Sequence, residues 1–369
     1  MGGFLYMKPI LKNLGIVLLL AGPIVTKSQA TQKHPLTVSE AEKLSNQLDS
    51  SISNGNPEIL NHLISFPVFV ARMKSRSSLS NNFDTLIKIA DAYGLFNIGD
   101  RTVELVKNGS YHLLRGYKKD DEMHLLFRAF GDGGLNYQDI TLVKVKDSVK
   151  AADIYSYQLG EPYTSIFAAL IADKEPQNQH MSLTARDKYE GLFEMALSHK
   201  NYNAAKSAFE KLDELSQNDK HLSLQYMQVC EHVDQKPYKK SIDHYASLFP
   251  EEPVSYLRMI NIYGDSKEYD KFGMAVDQLD TILSIDPFLN YFRGNLEVSL
   301  GNVQSASDFY QLAFDYDPGI LQNTQRLVAC SVGKRDLVQA DKVIRIYSHT
   351  PGYRKAFVES LYDQFPVLK

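Results

Sequence analysis

Apolar residues recur along the 369-residue chain with two different periods. Over the second half they fall three, four and three positions apart. In HKNYNAAKSAFEKL the set is Tyr202, Ala205, Phe209 and Leu212. It returns as Tyr238, Ser241, Tyr245 and Leu248, then as Tyr269, Phe272, Val276 and Leu279. Val303, Ala306, Tyr310 and Ala313 form a fourth set, and Leu337, Ala340, Ile344 and Tyr347 a fifth, with starts 36, 31, 34 and 34 residues apart. This spacing places each set on one stripe of an α-helix. The second member is usually small, which admits a neighbouring helix closely. Another apolar helix precedes each stripe, as with Tyr189, Leu192, Phe193 and Ala196. Turn formers divide each pair at His199-Lys200-Asn201, Gly301-Asn302 and Gly333-Lys334. Pro250 or Pro253, Pro287, Pro318 and Pro351 close the units, where proline stops one helix and sets the next turn.

A helical pair recurring about every 34 residues predicts an α-solenoid. The segment FRGNLEVSLGNVQSASDFYQLAFDYDP resembles the tetratricopeptide repeat, with Gly294, Gly301, Ala306, Tyr310, Ala313 and Pro318 where that family places such residues. The resemblance covers about residues 183–350. Phe272 at the small-residue site, Ser241 in place of alanine and a missing proline after the first unit depart from the pattern. The resemblance implies stacked hairpins with a concave face formed mainly by the first helices, able to hold a protein or peptide. Tyr189, Tyr226, Tyr256 and Tyr263 lie on those first helices and are the candidate anchors, since aromatic side chains dominate binding hot spots. Each also suits packing between repeats. The tail GYRKAFVESLYDQFP reads as a capping helix, so the repeat region is expected over residues 183–369, after a connector at 173–182.

Before Ala172 the pattern differs. TVSEAEKLSNQLDSSIS opens a helix capped by Thr37, with Glu40 three residues on. ILNHLISFPVFVARM predicts a second helix, kinked or ended by Pro67, and FDTLIKIADAYGLF a third. From Ser110 the period becomes two. SYHLLRGYKK and EMHLLFRAF flank Asp120-Asp121 as a hairpin, and Tyr137–Val145 and Ala152–Tyr157 form a second pair. PYTSIFAALIA adds a short helix. Three helices followed by an antiparallel sheet over residues 31–172 are similar in architecture to the nuclear-transport-factor-2-like cone, although no motif carries that likeness. The expected fold is therefore an α+β cone followed by an α-solenoid.

The glycine-rich FGDGGLNYQD invites a ligand-loop reading. A phosphate loop needs its glycines to open a helix, with Lys and Ser or Thr following. Here a strand follows, and no lysine occurs before Lys144. A turn between strands is the expectation. His112 and His124, with Asp139 or Asp153, are the residues able to make a general base in a cone pocket; their ordinary role is hydrogen bonding on a strand. Arg115 and Arg128 are read as partners for acids on the sheet. The chain has no G-x-S-x-G, H-E-x-x-H, helix-opening G-x-G-x-x-G or cysteine–histidine metal set, so no catalytic residue, metal or cofactor is expected.

A basic start, an apolar run from Leu14 to Val25 and small residues at Ser28 and Ala30 predict a secretory leader over residues 1–30. Its removal takes Lys8, Lys12 and Lys27, leaving 37 of 40 basic residues against 44 acidic ones, a net charge of -7. That charge opposes nucleic-acid binding, and the leader's removal leaves no stable membrane insertion. Cys230 and Cys330 lie on first helices three repeats apart, too far to bridge at about 8–10 Å per packed helix. The expected function is an exported, non-enzymatic scaffold that binds a protein or peptide in its repeat groove, in the periplasm or medium. The alternative is a cone-fold small-molecule binder or enzyme with the repeats as a recruiting arm.

Overall fold

The computed structural model describes residues 36–369 apart from 77–82, 93, 95, 147, 173–184, 285 and 351. The leader expected over 1–30 and the connector over 173–182 lie outside the described residues. The first half opens with α1 (Val38–Ser53), whose Thr37 and Glu40 form a reciprocal cap. Thr37 N donates to Glu40 Oε2 at 2.9 Å and Glu40 N to Thr37 Oγ1 at 3.2 Å. The bond from the Thr37 amide foremost, and then that from Lys144 Nζ at 2.9 Å, lower the Glu40 carboxyl pKa to about 2.

The long second helix expected from the pattern is divided into α2 (Glu58–Leu63) and α3 (Phe66–Arg76). Between them Ile64 bridges Ala151, and Ser65 N donates to Ala151 O at 3.1 Å, so pairing with the sheet interrupts the helix. Pro67 therefore sits in the first turn of a helix, where its missing N–H costs nothing. After α4 (Phe83–Ala92) comes α5 (Ile98–Leu105), which the pattern did not predict. Its buried residues are Ile98, Gly99 and Thr102, of which Ile98 alone is a large apolar side chain, so the apolar pattern is weak.

Five antiparallel strands follow in the order β1-β2-β3-β4-β5: Ser110–Lys119, Glu122–Gly131, Gly134–Val145, Ser148–Ser156 and Glu161–Pro162. The glycine-rich stretch turns β2 into β3. Gly131 pairs with Gly134, which sits at φ 90°, and the turn amides of Asp132 and Gly133 donate to Lys107 O and Leu105 O. A Cβ on Gly131 would come within 2.6 Å of Val106 backbone, so glycine is required by close approach as well as by the turn. α6 (Tyr163–Ala172) closes this half. Its start is held by Asp153, which accepts from Thr164 N and, at 2.5 Å, from Thr164 Oγ1. The helices cover one face of the sheet, with Leu125, Phe127, Ala129 and Ile140 in a continuous apolar core beside Leu48, Leu60, Phe69 and Phe167.

The second half is an array of tetratricopeptide-like helical hairpins. α7 (Ala185–Ser198) pairs with α8 (Tyr202–Phe209); after the short α9 (Glu214–Gln217), α10 (Lys220–Glu231) pairs with α11 (Gln235–Leu248). α12 (Pro253–Ser266) pairs with α13 (Tyr269–Leu283), α14 (Asn290–Ser299) with α15 (Val303–Tyr316), and α16 (Leu321–Gly333) with α17 (Leu337–Tyr347). α18 (Lys355–Gln364) packs over the last pair through Val358 and Leu361. In each stripe the second and third members are buried; the first is partly or largely exposed in all but Tyr238. At Gly294 a Cβ would meet the Tyr310 ring at 2.5 Å, which explains the glycine in the fourth pair. Cys230 and Cys330 are buried free thiols. No helix among the described residues is long and apolar enough to cross a membrane.

Candidate functional site

The outer face of the sheet is buried against the repeats. Leu126, Phe130, Leu135 and Tyr137 share one core with Leu257, Leu283, Phe288 and Phe292. Three junctions between successive hairpins carry an acid directly before proline: Glu252-Pro253, Asp286-Pro287 and Asp317-Pro318. A residue before proline is driven to extended backbone, and all three are outside the α region, at φ -92°, -113° and -142°. Each carboxylate meets the sheet. Tyr155 Oη donates to Glu252 Oε2 at 2.8 Å and Tyr137 Oη to Asp286 Oδ2 at 2.8 Å. Arg128 donates through Nη1 to Asp286 at 3.0 Å and through Nη2 to Asp317 at 2.9 Å.

Arg128 is fully buried, with its guanidinium 4.4 Å from the Phe288 ring centroid. Burial pulls its pKa down, but the charges of Asp286 and Asp317 outweigh that and hold it above its usual range. Burial, then Asp286, keeps the Tyr137 phenol protonated well above the ordinary phenol range. The expected acid partners of the arginines on the sheet are thus replaced by repeat groups. Arg128 pairs with repeat acids, and Arg115 Nη1 donates to Leu283 O at 2.8 Å. Neither partner is local, so strand patterning gave no sign of it.

A second cluster lies on the same face. His124 Nδ1 is 3.0 Å from Asp139 Oδ1, and Tyr117 Oη donates to Asp139 Oδ2. The Tyr117 and His124 rings stack with centroids 5.1 Å apart. Asp139 thereby orients the imidazole, the arrangement used to position a general base. Burial, then the hydrogen bond to Asp139, raises the Tyr117 phenol far above its usual range and keeps it a donor. The dyad lies outside the apolar core that the helices close. His112 Nδ1 is 3.2 Å from Asp49 on α1, with its ring edge-on to Tyr316 at 5.3 Å. Among the described residues no three His, Cys, Asp or Glu side chains gather as a metal site.

The four tyrosines singled out on first helices have different surroundings. Tyr263 is fully buried, its hydroxyl donating to Asp243 at 2.6 Å, and Tyr256 is buried with its hydroxyl on Pro250 O at 3.0 Å. Tyr226 is half-buried, stacked on Phe209 at 3.9 Å. Tyr189 lines an open hollow, of about 460 Å³, between α7 and α8. Leu192 and Met195, 37% and 54% exposed, form its apolar wall.

No protein-family description matches this chain, and no curated protein matches it. Solved structures do. A MamA protein is 14% identical over 49% of this chain and 95% of its own, with a TM-score of 0.38. PilF of Pseudomonas aeruginosa is 13% identical, covering 49% and 85%, at 0.35. PilW, described as a widely conserved type IV pilus biogenesis factor, is 11% identical, covering 51% and 90%, at 0.34. Each likeness spans about half of this chain.

Proposed function

We propose that the chain is an exported, non-enzymatic interaction scaffold. Its first half is a cone-like body of helices and sheet. The repeats grip the outer face of that body with their acid–proline junctions and bind a protein or peptide partner on the surface left open. The observation that carries this reading is the exposed apolar hollow of the first hairpin, on an array whose later junctions are filled by the protein's own sheet. Contiguous exposed apolar surface on a folded chain marks an interaction site. Tyr189 is the anchor; Tyr226, Tyr256 and Tyr263 support the repeats that present it. The test is capture from the exported fraction by the full chain and by a Met195→Glu variant. A protein retained by the native chain and lost by the variant supports the reading; identical capture by both sinks it. The export step predicts an N-terminus just after Ala30 in protein recovered outside the cytoplasm.

A second reading is favoured by the His124–Asp139 dyad: a small-molecule binder or enzyme working at the seam, with the repeats as its cover. A ligand that co-purifies with the native chain and is absent from His124→Ala would establish it.

A further inference from the structure

We infer that the occupant of the α7–α8 hollow is an acidic amphipathic helix from a partner protein. The inference rests on the interaction-scaffold reading and names the chemistry of its partner. Lys188 and Lys211 flank Tyr189, with their ammonium groups 5.6 and 5.7 Å from its ring centroid. Among the described residues neither has a carboxylate partner, although the chain as a whole carries 44 acids against 40 bases. No acid lines the hollow, and Lys211 and His199 do. The positive rim thus stands out from an acidic protein, and electrostatic complementarity selects a negative partner.

The shape asks for a helix. Ala196, Ala204 and Ala208 line the hollow between the two helices, and small residues let a third helix pack at about 8–10 Å. The opposite end of the array is closed in this way by α18. A second copy of this chain docking by two-fold symmetry would set the same lysines against each other, so the partner is a different chain. Leu192 and Met195 would take the apolar stripe of the incoming helix, and Lys188 and Lys211 its flanking carboxylates.

The probe is a fluorescein-labelled peptide of about 18 residues, five helical turns, with leucines at i, i+3, i+4 and i+7 and glutamates at the other positions. A lysine counterpart and a version with scrambled leucines are the controls. Anisotropy against the full chain is expected to show binding of the glutamate peptide only. Added salt should weaken it, and Lys188→Glu with Lys211→Glu should weaken it about tenfold or more. Both lysines are exposed, so circular dichroism should show an unchanged fold. Met195→Glu should remove binding. If the lysine peptide binds instead and Met195→Glu still removes it, the surface stands and the acidic partner is overturned. If no peptide binds, or binding ignores all three positions, the inference fails, and the capture experiment decides the scaffold reading separately. Binding to phosphatidylglycerol vesicles in place of the peptide, through the same residues, overturns it in favour of a membrane surface.

Discussion

Toward the helices of the first half the sheet presents Leu125, Phe127, Ala129 and Ile140; toward the repeats it presents Leu126, Arg128, Tyr137 and Asp139. Both faces are buried, by different chemistry. The inner face is mainly apolar, and its hydrogen bonds, from Tyr111 to Gln138 at 3.0 Å, Gln138 to Thr102 at 3.1 Å and Asn136 to Ser156 at 3.1 Å, join neutral groups. On the outer face a fully buried guanidinium is set between two carboxylates from different repeat junctions. Apolar burial stabilises but is non-directional. A buried ion pair offsets its own desolvation only when geometry is right, and is costly to break. The inner face thus supplies core, while the outer one makes the sheet sit on particular junctions.

The largest expected effect comes from Arg128→Met, which leaves Asp286 and Asp317 buried without a cation. It should cost about 3–5 kcal/mol in urea unfolding. Phe127→Ala on the inner face should cost a similar amount, about 3–5 kcal/mol, but the two losses differ in repair. Adding Asp286→Asn and Asp317→Asn to Arg128→Met should recover much of the stability, because the stranded charges are gone. If the triple variant is no more stable than Arg128→Met, the outer face is not electrostatically specified.

Hydroxyl deletions sharpen the contrast. Tyr137→Phe removes a donor to a carboxylate and should cost about 1.5–3 kcal/mol, whereas Tyr111→Phe removes a donor to a neutral amide and should cost about 0.5–1.5 kcal/mol. Equal losses would show that the faces are not chemically distinct.

Alkaline pH probes the same face. Burial raises the phenols of Tyr137, Tyr155 and Tyr157, the last to about 12. A raised folded-state pKa gives stability that is full below the unfolded value, about 10, and lost as pH climbs through the folded one. The urea midpoint should therefore fall between pH 9.5 and 12, and Tyr155→Phe should flatten the fall; a slope identical in that variant contradicts the assignment. The smallest effect belongs to His221, raised chiefly by its 2.7 Å bond to Glu161 across the seam. Its contribution, about 0.3 kcal/mol after screening, should be present below about pH 6.5 and vanish as pH rises past the folded value. His221→Gln should then cost stability at pH 5.5 and none at pH 8.5.

Much of the repeat half was legible because its contacts are local. Ala306, Tyr310 and Ala313 are buried as their spacing implied. Strand ends at Lys119 and Glu122 were legible from the Asp120-Asp121 turn, where both residues adopt positive φ. Facing was not: β2 is buried continuously from Leu125 to Gly131, so no alternation distinguishes its two sides. Glu252-Pro253, Asp286-Pro287 and Asp317-Pro318 stood in the sequence at repeat spacing, yet proline explained them fully as helix stops. Asp286 and Asp317 meet Arg128, 158 and 189 positions away, and Glu252 meets Tyr155, 97 positions away. Tyr256 and Tyr263 were indistinguishable from Tyr189 by spacing. The difference is that, among the described residues, the later hairpins pack between helices on both sides, whereas the first packs against α10 on one side.

The most direct measurement is a double-mutant cycle between Arg128→Met and Asp317→Asn, read by urea unfolding of the full chain. A coupling of about 1.5 kcal/mol or more is predicted if the sheet is seated on the repeat junctions. Additive losses, with coupling near zero, would contradict that seating.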